Sequence, residues 1–344
     1  MKPLRMVGLL FTMCAVACSD AMVGPSTGGD RGALFDNLWT EFDLHYSFFV
    51  LKRINWDSLR AVYRPQALRA SGDEAFAAAM GRMLGALQDV HVSLTPSGAG
   101  GTLRYLSRFE TAPTFFDVQR LLTRYVPSSR TTPGGHIQFG IAAPTVGYVY
   151  IAAMQGEDLG GEMADAINGL ASARSLIVDV RNNPGGAHAM VAALAGRFAD
   201  DVRTYSYVRR RNGPAHDDFT DYVPETIGPV GDTRFRGHVY VLANRGSVSS
   251  AEDFVLAMRS LPNVTILGDT TAGYSGGPIV RELANGWTYQ LSEWIQYTIE
   301  HRSFEGVGLA PDVIVQATAS DAAVSVDAAL ERAVALALGF ARGS

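Results

Sequence analysis

The sequence predicts an α/β fold, a core of strands alternating with helices behind a small N-terminal helical unit. Three observations lead there. From residue 147 onward, short apolar runs at 147–154, 175–181, 238–244 and 264–268 alternate with helix-length stretches at 158–171, 187–198, 249–261 and 324–338. Runs such as Leu176-Ile177-Val178 are apolar without alternation, as in strands covered on both faces, and strands interleaved with helices imply right-handed crossovers. Before residue 96 the apolar period is helical instead.

Composition sets the outer bounds. The 344 residues are 47% apolar and 18% charged, an ordinary globular balance that excludes a disordered or fibrous chain. The net charge is −5 with no block of five or six like charges, so no nucleic-acid partner is expected. The 36 glycines follow no period, which excludes collagen.

Residues 1–17 read as a signal peptide: Lys2 and Arg5, then an apolar run from 6 to 17, then small residues. The run is too short to span a bilayer, which takes roughly 20 residues. Ala15-Val16-Ala17-Cys18 resembles a bacterial lipobox, which implies acylation of Cys18 and an exported lipoprotein of the cell envelope, held to the membrane by its N-terminus. The two cysteines, Cys14 and Cys18, both lie in this segment, so no disulfide framework is expected. Residues 18–31 are rich in Gly, Ser and Asp and read as a flexible tether.

Residues 32–95 form the helical unit. Leu34, Phe35, Leu38, Trp39, Phe42 and Tyr46 recur at near-helical spacing, a second helix starts at Trp56 and stops before Pro65, and Ser71 with Glu74 offers a capping box for a third. The third carries Phe76, Ala79, Met80, Met83, Leu84 and Leu87 and ends near Gln88, just before His91. Residues 96–146, broken by Gly and Ser clusters with Pro113, Pro127, Pro133 and Pro144, read as an irregular connector. Residues 147–340 are the α/β core, with further strands at 287–291 and 313–315.

Three segments could carry chemistry. In Asn244-Arg245-Gly246-Ser247-Val248-Ser249-Ser250-Ala251-Glu252, a buried strand runs through a turn into a helix that starts at a serine. A hydroxyl there is exposed, and the next backbone N–H groups point outward at the positive helix end, as acyl transfer requires. Ser249 and Glu252 equally satisfy the capping-box rule, so this segment alone does not choose between catalyst and cap. The second segment is Asp179-Val180-Arg181-Asn182-Asn183-Pro184-Gly185-Gly186, whose paired glycines let backbone approach a ligand and free an N–H, while Asp179 and Arg181 can form a structural ion pair. The third is Leu87-Gln88-Asp89-Val90-His91, a histidine at a helix-to-strand junction that can serve as a general base.

Together these segments resemble the C-terminal-processing and tricorn-core serine peptidases. Ser247 to Glu252 resembles their nucleophile motif, 179–186 their Asp-x-Arg-x-Asn-x-Gly-Gly segment and 87–91 their Leu-x-Asp-x-His segment. Gly268-Asp269-Thr270-Thr271-Ala272-Gly273 resembles their Gly-Glu-x-Thr-x-Gly turn, and 305–312 their closing Glu-x-x-Gly-x-x-Pro-Asp segment. The resemblance, over roughly 32–338, implies a crotonase/ClpP-like core and hydrolysis of peptide or protein substrates. It makes Ser249 the nucleophile and assigns the oxyanion contacts to the N–H of Ser250 and of Gly185 or Gly186. One branch of the family uses a Ser–Lys dyad, but Tyr274 stands at the lysine position, and the chain's two lysines are Lys2 and Lys52. The tricorn-like branch implies His91 as base and Glu305 as the group orienting it. Val90 replaces the serine that links base to Glu in that branch, and no PDZ domain is expected within 96–146.

His188 reads as an exposed helix-start residue or a cleft residue, and Arg209-Arg210-Arg211 as a solvated strand end or a contact for an acidic substrate group. No metal-ligand spacing and no dinucleotide fingerprint is present, so no metal or cofactor is expected. Two alternatives share the fold: a carrier of apolar ligands or peptides, which would be expected to lack Ser249 or His91, and a crotonase-like acyl-CoA enzyme, which would need a basic CoA surface.

Overall fold

The computed structural model describes residues 30–97, 103–104 and 114–340. The leader, Cys18 and most of the tether lie outside them. The helical unit comprises α1 (Arg31–His45), α2 (Phe49–Lys52), α3 (Trp56–Leu68) and α4 (Asp73–Gly85). There follow β1 (Ser93–Thr95), β2 (Leu103–Arg104), α5 (Val118–Tyr125), β3 (Arg130–Thr131), β4 (Ile137–Ala143), β5 (Val146–Ile151), α6 (Leu159–Gly169), β6 (Ser175–Asp179) and α7 (Ala189–Ala195). The chain continues through β7 (Arg203–Arg210), β8 (Val223–Ile227), β9 (His238–Ala243), α8 (Ser250–Arg259), β10 (Val264–Gly268), β11 (Gly276–Glu282), β12 (Thr288–Tyr297), β13 (Val313–Ile314), α9 (Ala319–Ala323) and α10 (Ala328–Phe340).

Two sheets organise these elements. One is seven-stranded, in the order β13-β10-β9-β6-β5-β4-β3, parallel from β13 to β5 and antiparallel beyond. The other is antiparallel, β2-β1-β12-β7-β8, with β11 also paired to β12. The unalternating run of β6 is explained by its position: Leu176 and Val178 join the core under α6, α7 and α8, while Ile177 joins the opposite core under α5 and α10. A third core sets Phe42, Trp56, Phe76 and Leu84 of the helical unit against Trp287, just before β12, and Tyr289 and Leu291 of that strand.

Several expectations are corrected. Residues 114–146 are not an irregular connector, because α5, β3 and β4 belong to the core. The disguise is Gly140, where a side chain would collide with Val126 Cγ1 at 2.6 Å, so the glycine that looks like a breaker is a close-packing site. Strand β12 runs on to Tyr297, well past 291. Helix α3 passes through Pro65 to Leu68. Packing overrides the proline: Trp39 and Trp56 each donate an indole N–H to the other's carbonyl, and Arg60 and Arg64 both grip Asp36 of α1. The Ser71–Glu74 box does not form, since α4 starts one residue later with Gly72 as its N-cap and Asp73 and Glu74 at its positive end.

Candidate active site

The site lies at the carboxyl ends of adjacent parallel strands, where ligands bind in open α/β sheets. The turns after β6, β9 and β10 are tied into one frame by backbone and amide bonds. Val248 N donates to Asn183 O (3.0 Å), Asn182 N to Asn244 Oδ1 (3.0 Å), Ser247 Oγ to Val180 O (2.8 Å) and Ala272 N to Ser247 O (3.0 Å). Ser249 stands where the β9 turn becomes α8, with φ 55° and ψ −123°. That sparsely populated conformation persists only where surroundings over-determine it. The surroundings include Glu252, fully buried, whose carboxylate accepts from the N–H groups of Ser249, Gly273 and Tyr274 and from the Thr271 hydroxyl. Burial pushes Glu252 up to about 7 although these four donors pull the other way. Glu252 thus reaches back to the Ser249 N–H as a capping acid does, while the serine hydroxyl stands 3.2 Å from His91 Nε2.

His91 arrives from the helical unit, in the turn between α4 and β1, and is 8% exposed. The fully buried Asp89 braces that turn. Its Oδ1 accepts the His91 backbone N–H (2.9 Å) and lies 3.7 Å from His91 Nδ1, while its Oδ2 accepts from Ser292 Oγ of β12 (2.8 Å). The buried Tyr274 ring meets the imidazole edge-on at 6.2 Å between centroids. Tyr274 occupies the position where the dyad branch would carry a lysine.

The cleft above these groups has a volume of about 470 Å³; Val248, Tyr274 and Trp294 give it apolar walls, and Gln290, Gln296 and His188 polar ones. Gly186 lines it. Ser250 N opens helix α8 and so has no intrahelical acceptor, and its hydroxyl donates to Gly186 O (2.9 Å). Gly185 N donates to Asn183 Oδ1 (2.9 Å).

The structure therefore brings Ser249, His91, Ser250 and Gly186 to one cleft. Glu305 is engaged elsewhere: its Oε2 accepts from Ser275 N (2.8 Å) and Oγ (3.1 Å), and its Oε1 pairs with Lys52 Nζ at 2.9 Å. The carboxylate found beside the imidazole is Asp89. In the sequence Asp89 lies within the Leu-x-Asp-x-His segment without an assigned role, and its position two residues before the histidine is the signal that points to it. Asp179 and Arg181 form the structural pair considered above, joined by Asp327, the Tyr148 hydroxyl and the Phe116 ring. His188 stands at the start of α7 with its side chain 41% exposed, and it also borders the cleft. It is bound by Asp253 (2.9 Å) and Glu225 (2.7 Å), and those hydrogen bonds raise it to about 10. Arg210 lies over the Trp294 ring, and Arg211 donates to the carbonyls of Tyr46 and Asp43, so the arginine run ties the second sheet to the helical unit. Among the described residues no cluster of His, Cys, Asp or Glu could hold a metal ion, and no helix is long and apolar enough to cross a membrane.

Comparison with known proteins adds to this geometry. Residues 145–315 match peptidase family S41, and residues 30–85 match the tricorn protease C1 domain. The carboxy-terminal processing protease CtpA of Bacillus subtilis is 27% identical over 154 residues, 44% of this chain and 31% of that protein. The chain spans about a third of the length of the curated relatives it matches. A solved protein of Parabacteroides merdae, assigned provisionally as a peptidase, is 30% identical with a TM-score of 0.80, over 90% of this chain and 96% of that one. The photosystem II D1 C-terminal processing protease shares the fold at 16% identity, with a TM-score of 0.57 over 83% of this chain and 93% of that one.

Proposed function

The chain belongs to peptidase family S41, and from that premise we propose that it is an exported, lipid-anchored serine endopeptidase with Ser249 as nucleophile and His91 as base. The observation that carries this reading is the 3.2 Å contact between Ser249 Oγ and His91 Nε2, made across 158 positions of chain. A carrier has no need of such a contact.

In the proposed reaction Ser249 Oγ bonds to the scissile carbonyl carbon while its proton passes to His91 Nε2. The carbonyl oxygen becomes an oxyanion held by two backbone N–H groups. Ser250 supplies one. Gly186 supplies the other, because it lines the cleft while the Gly185 N–H is already given to Asn183. Collapse breaks the C–N bond, and His91 returns the proton to the leaving amine. Water, deprotonated by His91, then attacks the acyl-enzyme, and Ser249 leaves with the proton. His91 as base carries its hydrogen on Nδ1, facing Asp89 at 3.7 Å, a separation that can shorten when substrate binds. In this reading Asp89 orients the imidazole, and Glu305 acts on the surrounding frame. The leader and the lipobox at Cys18 support export and anchoring in the cell envelope.

A fluorophosphonate probe is expected to label the wild-type protein and not S249A. That variant should lose on the order of 10⁴–10⁶ in turnover, with a stability change of only about 1 kcal/mol from the weakened cap. Equal labelling of both proteins would remove Ser249 from the mechanism. Mass spectrometry of the mature N-terminus should find acylated Cys18; an unmodified start elsewhere would defeat the anchor.

A further inference from the structure

Lys52 is the single lysine of the described residues. It closes α2, far in sequence from every motif noted above. An ammonium has three N–H donors, and Lys52 Nζ meets three acceptors: Glu305 Oε1 (2.9 Å), Gln88 O (2.9 Å) and Leu87 O (3.2 Å). Its side chain is 17% exposed, and the Phe48 ring lies 5.2 Å from the charge. The two carbonyls belong to the residues directly before Asp89-Val90-His91, and Gln88 sits at φ 46°, a conformation that needs outside support. The other oxygen of Glu305 holds Ser275, next to Tyr274 on the cleft wall.

We propose that Lys52 is a positioning residue for the base: its ammonium pins the turn that carries His91 to the Glu305–Ser275 edge of the core, and so sets the distance between His91 and Ser249. The proposal rests on the reading of Ser249 and His91 given above. Two features argue for a positioning device over plain packing. A point charge with three rotatable donors can satisfy two carbonyls and a carboxylate at once, which an apolar side chain cannot. The ammonium also offsets a buried carboxylate. The Glu305 side chain is almost entirely covered, 2% exposed, and its carboxyl is held above the usual range, by burial first, with Lys52 opposing the effect and Asp89 adding to it. Without the cation, the Glu305 carboxylate would keep the Ser275 donors but lose its positive partner.

The test uses the full chain and a fluorogenic peptide that the wild type cleaves. K52M is expected to lower kcat on the order of 10²-fold, the scale of an ångström misplacement of a catalytic group, with KM little changed and fluorophosphonate labelling slowed in the same ratio. K52R should keep much of the activity. A cavity of about 480 Å³ lined by Leu51, Lys52, Leu87, Gln88 and Glu305 opens beside the ammonium. K52A should therefore regain turnover on addition of n-propylammonium, a rescue that a purely structural role would not show. Should K52M fold poorly, K52M/E305Q, which leaves no unpaired carboxylate, is expected to fold and remain slow. Wild-type kcat in K52M or in the double variant, or loss in K52A with no rescue and no benefit from arginine, would overturn the proposal. Equal labelling of wild type and S249A would instead overturn the nucleophile reading, and the positioning role with it.

Discussion

The two halves of the site are built in different ways. The nucleophile half is made within one sheet: Ser249, Ser250 and Gly186 stand on neighbouring turns after parallel strands, locked by short backbone bonds and by Glu252. The base half is assembled from four distant segments. His91 and Asp89 come from the turn before β1, Ser292 from β12, Lys52 from α2 and Glu305 from the loop before β13. A nucleophile on a strand-to-helix turn inherits its position from the sheet. A base borne on another unit must be held by side chains, and each one is a point at which the site can be detuned.

Substitutions in the two halves should therefore behave differently, and the largest contrast is on the base side. D89N keeps the volume but offers an amide where a carboxylate faces the imidazole. It should lower kcat by roughly 10²–10⁴ with KM nearly unchanged. An unaltered kcat would show that Asp89 only braces the backbone. On the nucleophile side, G186A should cost on the order of 10²–10³ in kcat, the scale for loss of one oxyanion donor. The added methyl would meet Met154 O at 2.2 Å, at a φ of 146° that side chains rarely adopt, so the N–H must move. Full activity in G186A would return the oxyanion role to another donor.

The smallest effect sharpens the comparison through pH. His188 borders the cleft but is bound by Asp253 and Glu225, and its raised pKa means that the folded state holds its proton more tightly than the unfolded chain. The stability it adds is complete below about pH 6.5 and is lost as pH rises through about 10. Thermal melts between these limits should show a modest loss in the wild type that is absent in H188Q. Equal slopes for the two proteins would mean that the pair adds nothing to folding.

Much of the fold was legible because its signals are local. The unalternating run at 176–178 marks a doubly covered strand, and the period of 34–46 marks a helix. The misreadings share a cause. Gly140 and Pro65 are breakers by local rules, and packing against Val126 in one case and the Trp39–Trp56 and Asp36 contacts in the other keeps the elements intact. In the site, the positions of Ser249 and of the paired glycines follow from strand-turn-helix chemistry within a dozen residues. The supports of the base do not, since Lys52 and Glu305 meet across 253 positions, and although Asp89 stands two residues before His91, no local pattern distinguishes a carboxylate that faces an imidazole from one that faces an ammonium.

By itself, then, the amino-acid sequence determined the alternating α/β core, the serine at the mouth of a helix and the histidine beyond the end of another. Apolar periodicity and turn residues act over a few positions and need no knowledge of the rest of the chain. Only the tertiary structure decided that these two groups meet at 3.2 Å, that Asp89 is the acid beside the imidazole and that Glu305 is held by Lys52. Electrostatic and hydrogen-bonding partners are chosen by proximity in space, and that proximity exists only once the helical unit has packed on the second sheet.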